Sequence, residues 1–313
     1  MPGGAPVASN VVLSCVAEDR PGWARKVQNL VLSVRRTGGA LADAPFVVNV
    51  VGSVTPSLWD PVRELGADLR VVEPQRLAHS GGFNKLRMLE LASTDQFDTL
   101  VMIDCDIVVL GDLSHYLSPA QLGMVPAVRQ RITPAAWERV YTALGIPLPE
   151  WRVVTTWTGE KSYPYLNSGF MVVRRDVCAR LRKAWLHLGA EIYGMEAAEP
   201  GFLGNKVGDQ VSLACAIAQE KITVDQLPLN LNLSTRIPEI APEYAGQWGP
   251  PFVLHYHGNI DKKTGFLQAS PIPEVTAELD RFNRLRAEHL GLRYRKISAP
   301  ARPARAASAR SPR

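Results

Sequence analysis

Two aspartates stand one residue apart in an otherwise apolar, β-branched run. Asp104 and Asp106 lie within the segment TLVMIDCDIVVL, residues 99–110. In a β-strand, side chains two residues apart point to the same side, so we expect both carboxylates to reach one spot while Cys105 points away. Burying two unpaired acids is costly, and a divalent cation is the simplest compensation because hard metals take carboxylate oxygens. The pattern therefore predicts a metal site at the edge of a sheet.

Strands and helices alternate along the chain before this run. Strands are predicted at 11–17, 46–51, 69–72 and 99–110, and helices at 23–36, 60–65 and 83–92. This alternation favours an α/β fold in which a mostly parallel central sheet carries helices on both faces. Ligands of such sheets bind at the carboxyl ends of the strands, and Asp104 and Asp106 fall late in theirs.

The second half of the chain is less regular. Residues 120–158 mix prolines, tryptophans and short helices, which indicates an insertion on the substrate side. A strand is predicted at 170–173, after the turn-forming Asn167, and helices are predicted at 178–188, 209–219 and 273–290. A late strand at 252–257 carries His255 and His257 on one face.

Composition limits the class of protein. The chain has 313 residues, 46% of them hydrophobic, which is enough for one large α/β domain. It contains no apolar run near the ~18 residues that a membrane span needs. The N-terminus lacks the charged and apolar regions of a signal peptide. The four cysteines are scattered and favour buried thiols in a reducing compartment, so we expect a cytoplasmic location.

The positive charge is concentrated at the C-terminus. The net charge is +5, but seven Lys or Arg and no acid follow from Arg293 onward, which leaves about −2 for the rest of the chain. We therefore predict a domain over 1–292 and a disordered basic tail over 293–313. The body is not a basic nucleic-acid binder. The tail is either without consequence or a weak electrostatic tether to anionic lipid or nucleic acid.

Four motifs resemble those of the family 8 retaining glycosyltransferases, the glycogenin and lipopolysaccharide galactosyltransferase type. The resemblance covers residues 10 to 265 and implies a single GT-A-type nucleotide-sugar transferase domain. The four motifs occur in the family's order, with family-like separations. They are Asn84-Lys85-Leu86 before the Asp104-Cys105-Asp106 strand, Asn167-Ser168-Gly169, Gly208-Asp209-Gln210, and His255-Tyr256-His257-Gly258.

The resemblance implies a role for each motif. Asp104, Asp106 and His255 would hold a divalent cation that acts as Lewis acid on the departing nucleoside diphosphate. A histidine among oxygen ligands favours Mn²⁺ over Mg²⁺, because imidazole is softer than carboxylate. The remaining residues would bind the donor or act in catalysis. We predict donor binding by Asp19, Lys85, Asn167, Ser168, Gly169, Gly258 and Lys262, and catalytic roles for Lys85, Asp209 and Gln210.

Plainer roles stay open for several of these residues. Asn167 could only form a turn, Asp209 could only cap its helix, and His255 could be a core histidine. The chain also departs from the family's continuation of the last motif, which places a lysine three residues after the glycine. Here that position is Asp261, so Lys262 or Lys263 would have to substitute. If His257 is the metal ligand instead of His255, Lys263 takes the lysine position.

The predicted function is metal-dependent transfer of a hexose from a nucleoside-diphosphate sugar, with UDP expected, to the hydroxyl of an unknown acceptor. Retention of the anomeric configuration follows from the resemblance alone. An inverting transferase of the same fold would use Asp209 as its base. A sugar-nucleotide pyrophosphorylase would use metal carboxylates on the same sheet, but its glycine-rich basic loop is not matched by residues 18–22. A non-catalytic binding module would need no metal set.

Overall fold

The computed structural model describes residues 10–75, 77, 81–117, 119–201, 203, 208–244 and 249–297. Strands and helices alternate through the N-terminal half, as the sequence predicts. The strands are β1 (Val11–Glu18), β2 (Phe46–Val51), β3 (Asp68–Val72), β4 (Thr99–Ile103), β5 (Ile107–Val109), β6 (Leu122–Pro126), β7 (Val153–Val154), β8 (Lys161–Ser162), β9 (Leu166–Arg174), β10 (Val224–Gln226), β11 (Leu233–Ser234) and β12 (Val253–His255). The helices are α1 (Pro21–Thr37), α2 (Pro56–Arg63), α3 (Leu86–Leu89), α4 (Leu91–Thr94), α5 (Pro134–Ala143), α6 (Arg175–Ala198), α7 (Gly208–Gln219) and α8 (Pro273–Leu290).

The central sheet has seven strands in the order β10-β6-β9-β4-β1-β2-β3. Strand β9 runs antiparallel to both of its neighbours, β4 and β6, whereas the other adjacent pairs are parallel. Two smaller sheets, β11-β12-β5 and β7-β8, accompany it. The predicted fold class, a mostly parallel central sheet in an α/β domain, is confirmed.

Helices cover both faces of the central sheet. On one face α1 and α2 bury Val27, Leu30 and Trp59 against β1 and β2. On the other face α5, α6 and α7 bury a second apolar layer that includes Trp137 and Trp185. Strands covered on both sides have to be apolar throughout, which explains the continuous hydrophobic runs of β1, β2 and β4.

Helix α1 shows why these elements form where they do. Its buried residues Ala24, Val27, Val31 and Val34 follow helical spacing and face the sheet. Pro21 stands in the first turn, where its missing amide hydrogen costs no hydrogen bond. The helix ends at Gly38, whose amide donates to the Val34 carbonyl. It starts three residues after β1 ends, so its first turns lie at the carboxyl edge of the sheet.

The prediction of one long strand over 99–110 is wrong. The chain leaves β4 after Ile103, turns at Asp104–Asp106, and enters β5 of the three-stranded sheet at Ile107. The two aspartates therefore do not share one face of a strand; they converge because they form the turn between two sheets. The antiparallel partner of β5 is β12, which satisfies the backbone of 107–109 in place of the central sheet.

Other boundaries also differ from those predicted. The late strand ends at His255, and His257 adopts a left-handed backbone conformation with φ of +47°, so the two histidines do not lie on one strand face. The region 120–158 is not purely an insertion, because it contributes β6 to the central sheet. Helix α2 begins at Pro56, four residues before the predicted start.

The first residues of the predicted basic tail contact the domain. The Tyr294 hydroxyl donates to Asp280 of α8 at 2.8 Å, and its ring packs edge-on against Phe266. The amide of Ile297 donates to the same carboxylate at 3.3 Å. The rest of the predicted tail, 298–313, lies outside the described residues, and the domain boundary at 292 stays a prediction.

All four cysteines are buried and unpaired, as the sequence indicates. Within the described part of the chain, no helix combines the length and hydropathy that crossing a membrane requires.

Candidate active site

Asp104, Asp106 and His255 form a compact cluster at the carboxyl edge of the central sheet. One ligand atom from each can be chosen so that all three lie within 4.8 Å of one another. His255 Nε2 lies 3.2 Å from Asp106 Oδ1 and 4.0 Å from Asp104 Oδ2. Among the described residues, this is the group of three whose donor atoms could share one metal ion.

Two different sheets hold the two aspartates. The backbone amide of Asp104 donates to the Gly169 carbonyl at 2.7 Å, which extends the pairing of β4 with β9 by one residue. The Asp106 carbonyl accepts from the Tyr256 amide at 2.9 Å, next to the pairing of β5 with β12 that sets His255 opposite Ile107. The carboxylates and the imidazole thus converge through backbone hydrogen bonds of long sequence separation.

Gly169 is required by the approach of His255. A Cβ atom at position 169 would lie 2.6 Å from His255 Cε1, a distance that real structures do not tolerate. The His255 ring is fixed from its other side as well, because its Nδ1 lies 3.2 Å from Asn232 Oδ1. This hydrogen bond leaves Nε2 for the aspartates. The Asn-Ser-Gly motif and the late histidine are therefore in direct contact, which the sequence does not reveal.

His257 stacks on His255 and does not reach the aspartates by any hydrogen bond in the described structure. The two ring centroids are 3.7 Å apart. Burial and the neighbouring His255 lower the pKa of His257 to about 3, so its ring is neutral at physiological pH. Gly258 follows with φ of +83°, and this turn requires glycine. Of the two histidines, the geometry brings His255 to the two aspartates.

Two lysines pair with the two aspartates, one lysine with each. Lys85 Nζ lies 3.2 Å from Asp104 Oδ1 and donates to Ser168 Oγ at 2.9 Å. Lys26 Nζ, on α1, lies 3.4 Å from Asp106 Oδ2. Burial lowers the pKa of Lys85, but the carboxylates of Asp104 and Asp209 outweigh it and raise that pKa above its ordinary value. Burial likewise opposes ionisation of Asp106, but His255 and Lys26 hold its pKa well below the usual range.

Lys26 was not among the residues predicted from the sequence. It occurs in an ordinary amphipathic helix, Trp23 to Arg36, without a motif around it. One signal was available: the first turns of a helix that follows a strand lie at the carboxyl edge of the sheet, where ligands bind.

Two clefts meet at the cluster, and Lys85, Asp104, Asp106 and Asp209 line both. The first, of about 300 Å³, lies at the ends of β1 and β2 and is mainly apolar. The second, of about 500 Å³, is polar. We call them the apolar cleft and the polar cleft. The apolar cleft is completed by Val16, Ala17, Glu18, Trp23, Val51, Gly82, Asn84 and Cys105. The polar cleft is completed by Ala127, Val128, Arg129, Arg131, Trp157, Tyr165, Asn167, Ser168, Gln210, Ser234, Arg236, Ile237, His255 and His257.

The remaining predicted site residues divide into two groups. Asn167, Ser168, Asp209 and Gln210 line the polar cleft. Asn167 also accepts the Gly169 amide at 2.8 Å through its side-chain oxygen, so it has a local role as well. The backbone carbonyl of Asp209, at the start of α7, accepts from Trp185 Nε1 at 2.8 Å, and this bond anchors the end of the helix that carries Asp209 and Gln210.

Asp19 and Lys262 are not brought to either cleft in the described structure. The Asp19 carboxylate accepts from the hydroxyls of Ser53 and Thr55 and from Trp59 Nε1, each at 2.7 Å. Burial raises the pKa of Asp19, but together these donors outweigh it and lower the pKa to about 2. The exposed Lys262 accepts a hydrogen bond from Arg25 through its carbonyl. The donor-binding roles of both residues rest on the resemblance alone.

Residues 34–221 match the Rhodobacterales glycosyltransferase domain family, and this match spans more than half of the chain. The chain belongs to this family. It is therefore a glycosyltransferase, and the enzyme class predicted from the sequence is confirmed. No curated protein matches the chain.

Solved structures support the fold of this glycosyltransferase. The galactosyltransferase LgtC, in complex with donor and acceptor sugar analogues, is similar over 88% of this chain and 95% of its own, with a TM-score of 0.57 and 15% identity. The bifunctional glycosyltransferase WbbM is similar over 91% of this chain, with a TM-score of 0.51 and 14% identity. The chain spans about half of the WbbM chain, 52%. At these identities the likeness shows a GT-A-like fold.

Proposed function

We propose that this enzyme transfers a hexose from a UDP-sugar to an acceptor hydroxyl, with a divalent cation and with retention, as in the family 8 glycosyltransferases. The observation that carries the proposal is the Asp104–Asp106–His255 cluster at the junction of two clefts. A transferase has to bring a donor and an acceptor to one point, and two clefts that meet at one cluster support such an arrangement. The LgtC structure holds donor and acceptor sugar analogues on a similar fold, which supports two substrates here.

The three residues fit a divalent cation by their chemistry. Two carboxylates and one imidazole, with donor atoms within 4.8 Å of one another, form a mixed oxygen and nitrogen set that suits Mn²⁺. The opposite His255 nitrogen is held by Asn232, the kind of supporting hydrogen bond that orients metal-binding histidines. A cation bound there would supply Lewis-acid stabilisation of the leaving diphosphate.

The lysines supply fixed positive charge on either side of the cluster. Lys85 is buried and anchored to Ser168, so its ammonium is already ordered before a substrate binds. Lys26 is more accessible and lies over the ring of Trp23, with Nζ 5.0 Å from the ring centroid. A diphosphate at the junction would accept hydrogen bonds from both ammonium groups. These hydrogen bonds would stabilise the negative charge that develops on the leaving diphosphate. In the family 8 enzymes, a lysine three residues after the glycine of the last motif binds the diphosphate, and this chain has Asp261 at that position. We propose that Lys26 binds the diphosphate instead.

The side chain of Asp261 forms hydrogen bonds within its own loop. Its Oδ1 accepts from the amides of Lys263 and Thr264, at 3.0 and 2.7 Å, and from the Thr264 hydroxyl. The carboxylate therefore closes its own turn. Lys262 and Lys263 are both exposed on this loop.

The apolar cleft suits the nucleoside. The half-buried Trp23 offers a ring face for a base, and Val16, Ala17 and Val51 form an apolar wall. The polar cleft, with Asn167, Asp209 and Gln210, then holds the transferred sugar and the acceptor, because amides and carboxylates pair with sugar hydroxyls. The two assignments follow from one another, since the diphosphate has to lie at the junction.

Asp209 is the carboxylate that separates retention from inversion. Among the described residues that line the polar cleft, the acids are Asp104, Asp106 and Asp209, and the first two belong to the cluster. In an inverting enzyme Asp209 would be the general base, so Asp209→Asn would abolish transfer. In a retaining enzyme its loss would weaken sugar positioning, and the anomeric configuration of the product, read by NMR, distinguishes the two.

Calorimetric titration of UDP tests the proposal. We expect the wild type to bind UDP in the presence of Mn²⁺ and to lose at least about 100-fold in affinity after EDTA treatment. Asp106→Asn removes one anionic ligand and should cause a similar loss, because ionised ligands dominate the affinity for a hard cation. Asp60→Asn, an exposed helix carboxylate away from both clefts, is the matched control. The proposal would be contradicted if Asp106→Asn and wild type bound UDP with equal affinity at every Mn²⁺ concentration of the titration.

A further inference from the structure

Three arginines line the polar cleft away from the metal cluster. Arg129 and Arg131 come from the segment between β6 and α5, and Arg236 follows β11. They converge from distant parts of the chain on the wall that also carries Tyr165 and His257. The charges of Arg129 and Arg131 both act on the Tyr165 hydroxyl, and those of Arg131 and Arg236 act on His257. We call this wall the arginine wall.

None of the three arginines forms an ion pair with a described carboxylate. Arg236 donates to the carbonyl of His257 and to Asn259 Oδ1, both neutral acceptors. The Arg129 guanidinium lies 6.0 Å from the centroid of the Trp157 ring. Arg131 is exposed and makes no hydrogen bond within the described structure. Arg129 and Arg236 thus contact neutral groups, and no described acid pairs with any of the three guanidinium groups.

The arginines of a larger depression on the molecule behave differently. This depression, of about 1010 Å³, lies at the opposite end of β4. There Arg174 pairs with Asp176 at 3.0 Å, and Arg182 pairs with Glu90. The third arginine there, Arg175, donates to the Gln96 side chain and the Ala92 carbonyl, so acids neutralise two of the three guanidinium groups of this depression. The arginine wall lacks that compensation, although it borders the active site.

The proposed substrates of the junction need at most one of these three charges. The carboxylates of Asp104, Asp106 and Asp209 and the two charges of a nucleoside-diphosphate sugar are balanced, to within one charge, by Lys26, Lys85 and a divalent cation. Three further positive charges on the sugar side then face a neutral hexose and a neutral hydroxyl. An anionic group on one of the two saccharides would restore the balance.

Tyr165 adds a donor to the same wall. Its side chain is 1% exposed, and its hydroxyl has no hydrogen-bond partner among the described residues. A buried hydroxyl without a partner is costly, and a ligand atom is one way to satisfy it. Burial raises the pKa of Tyr165, so this group stays a protonated donor.

We infer that the arginine wall is a subsite for an oxyanion, a carboxylate or a phosphate, carried by the transferred sugar or by the acceptor saccharide. The inference rests on the proposed function, since it assumes that the polar cleft holds the saccharides. Guanidinium groups bind carboxylates and phosphates through paired hydrogen bonds, which makes arginine suited to both. Arg129 and Arg131 lie on the segment before α5, and Arg236 lies on the loop after β11. The anion would therefore accept hydrogen bonds from two separate segments of the chain.

Paired calorimetric titrations test this inference with the full-length protein and Mn²⁺. The donor arm compares UDP-glucose with UDP-glucuronate. The acceptor arm compares glucose, glucuronate and glucose 6-phosphate with the protein saturated by UDP. We expect one anionic ligand to bind about 10- to 100-fold more tightly than its neutral counterpart, which is the size of a hydrogen bond to a charged group. The arm that shows the preference identifies which saccharide carries the anion.

Two variants assign the preference to the arginine wall. Arg131→Gln and Arg236→Gln should each remove most of the preference and leave UDP affinity within about twofold. Arg174→Gln, whose guanidinium is paired in the distant depression, should change neither. Equal binding of neutral and anionic ligands in both arms would overturn the inference. It would also be overturned if the two variants weakened UDP alone as much as the anionic ligand, because the arginines would then bind the diphosphate. Both results leave Mn²⁺-dependent UDP binding, and hence the proposed function, intact.

Discussion

The apolar cleft and the polar cleft meet at the same four residues, yet they are built in different ways. The apolar cleft is formed by the ends of β1 and β2 and the start of α1, all close together in the regular part of the sheet. The polar cleft is assembled from β9, the start of α7, the segment after β6 and the loops around β11 and β12. The regular part of the fold presents a common binding surface, whereas irregular segments supply the polar side chains.

This difference suggests which half of the reaction each region controls. An apolar wall with one tryptophan can hold a nucleoside without much discrimination between attached sugars. A wall of arginines, amides and a carboxylate discriminates more strongly, since a mismatched ligand leaves the buried polar groups of Asn167 and Tyr165 without a partner from the ligand. We therefore expect substitutions at the junction to affect both substrates, and substitutions within either cleft to affect one.

The largest expected effect is at the junction. His255→Ala should lower Mn²⁺ affinity and turnover by orders of magnitude, because it removes a metal ligand and leaves the Asp106 charge less compensated. His257→Ala should cost about 10- to 100-fold, since it removes only the ring that packs against His255. Mn²⁺ titration of UDP binding and of UDP-sugar hydrolysis measures both variants.

Thermal unfolding of the two histidine variants serves as the control, because both rings are largely buried. A melting temperature within a few degrees of wild type separates loss of metal from loss of structure. If His257→Ala loses Mn²⁺ while His255→Ala keeps it, the metal set contains the wrong histidine, and Lys263 becomes the candidate for the phosphate-binding lysine.

An intermediate effect is expected from one tryptophan in each cleft. Trp23 and Trp157 are both half-buried, so they form a matched pair. Trp23→Ala should weaken UDP and uridine about 10-fold, which is the range for loss of an aromatic ring stacked on a base. Trp157→Ala should leave UDP affinity within twofold and weaken the saccharide that binds the polar cleft. Calorimetry with UDP and uridine makes the comparison, and the reverse pattern would mean that the two clefts have exchanged roles.

The sequence predicts the elements that carry local signals better than the strands that pair with distant parts of the chain. β1, β2, α1 and α8 follow from buried runs, helical spacing and terminal proline or glycine, and these are local signals. The break after Ile103 was not predicted, because β5 pairs with β12 from the distant end of the chain and no local residue marks the change of sheet. The strand β6 was missed for the same reason, since its partner β9 lies some 40 residues later.

The site shows the same division. Asp104 and Asp106 were identified because two acids are conspicuous in an apolar run, although the predicted geometry, two residues on one strand face, was wrong. Lys26 and the arginine wall carry no such mark, since single basic residues in helices and loops are ordinary. Their place in the proposed site follows only from the fold.

The smallest effect is expected from a change that reaches neither cleft. The structure moves the useful truncation point from 292 to 297, because Tyr294 and Ile297 bond to Asp280 and Tyr294 packs on Phe266. Removal of 298–313, which carries four of the seven basic residues of the predicted tail, should leave the melting temperature and UDP affinity unchanged. Removal from 293 onward should lower the melting temperature by a few degrees, since the buried Asp280 carboxylate loses its Tyr294 and Ile297 donors and keeps only its ion pair with Arg284. Differential scanning calorimetry of the two truncated proteins measures both melting temperatures.

Equal melting temperatures for the two truncated proteins would show that the Tyr294 contacts contribute no stability. A large loss of stability on removing 298–313 would contradict the prediction that this segment builds no core.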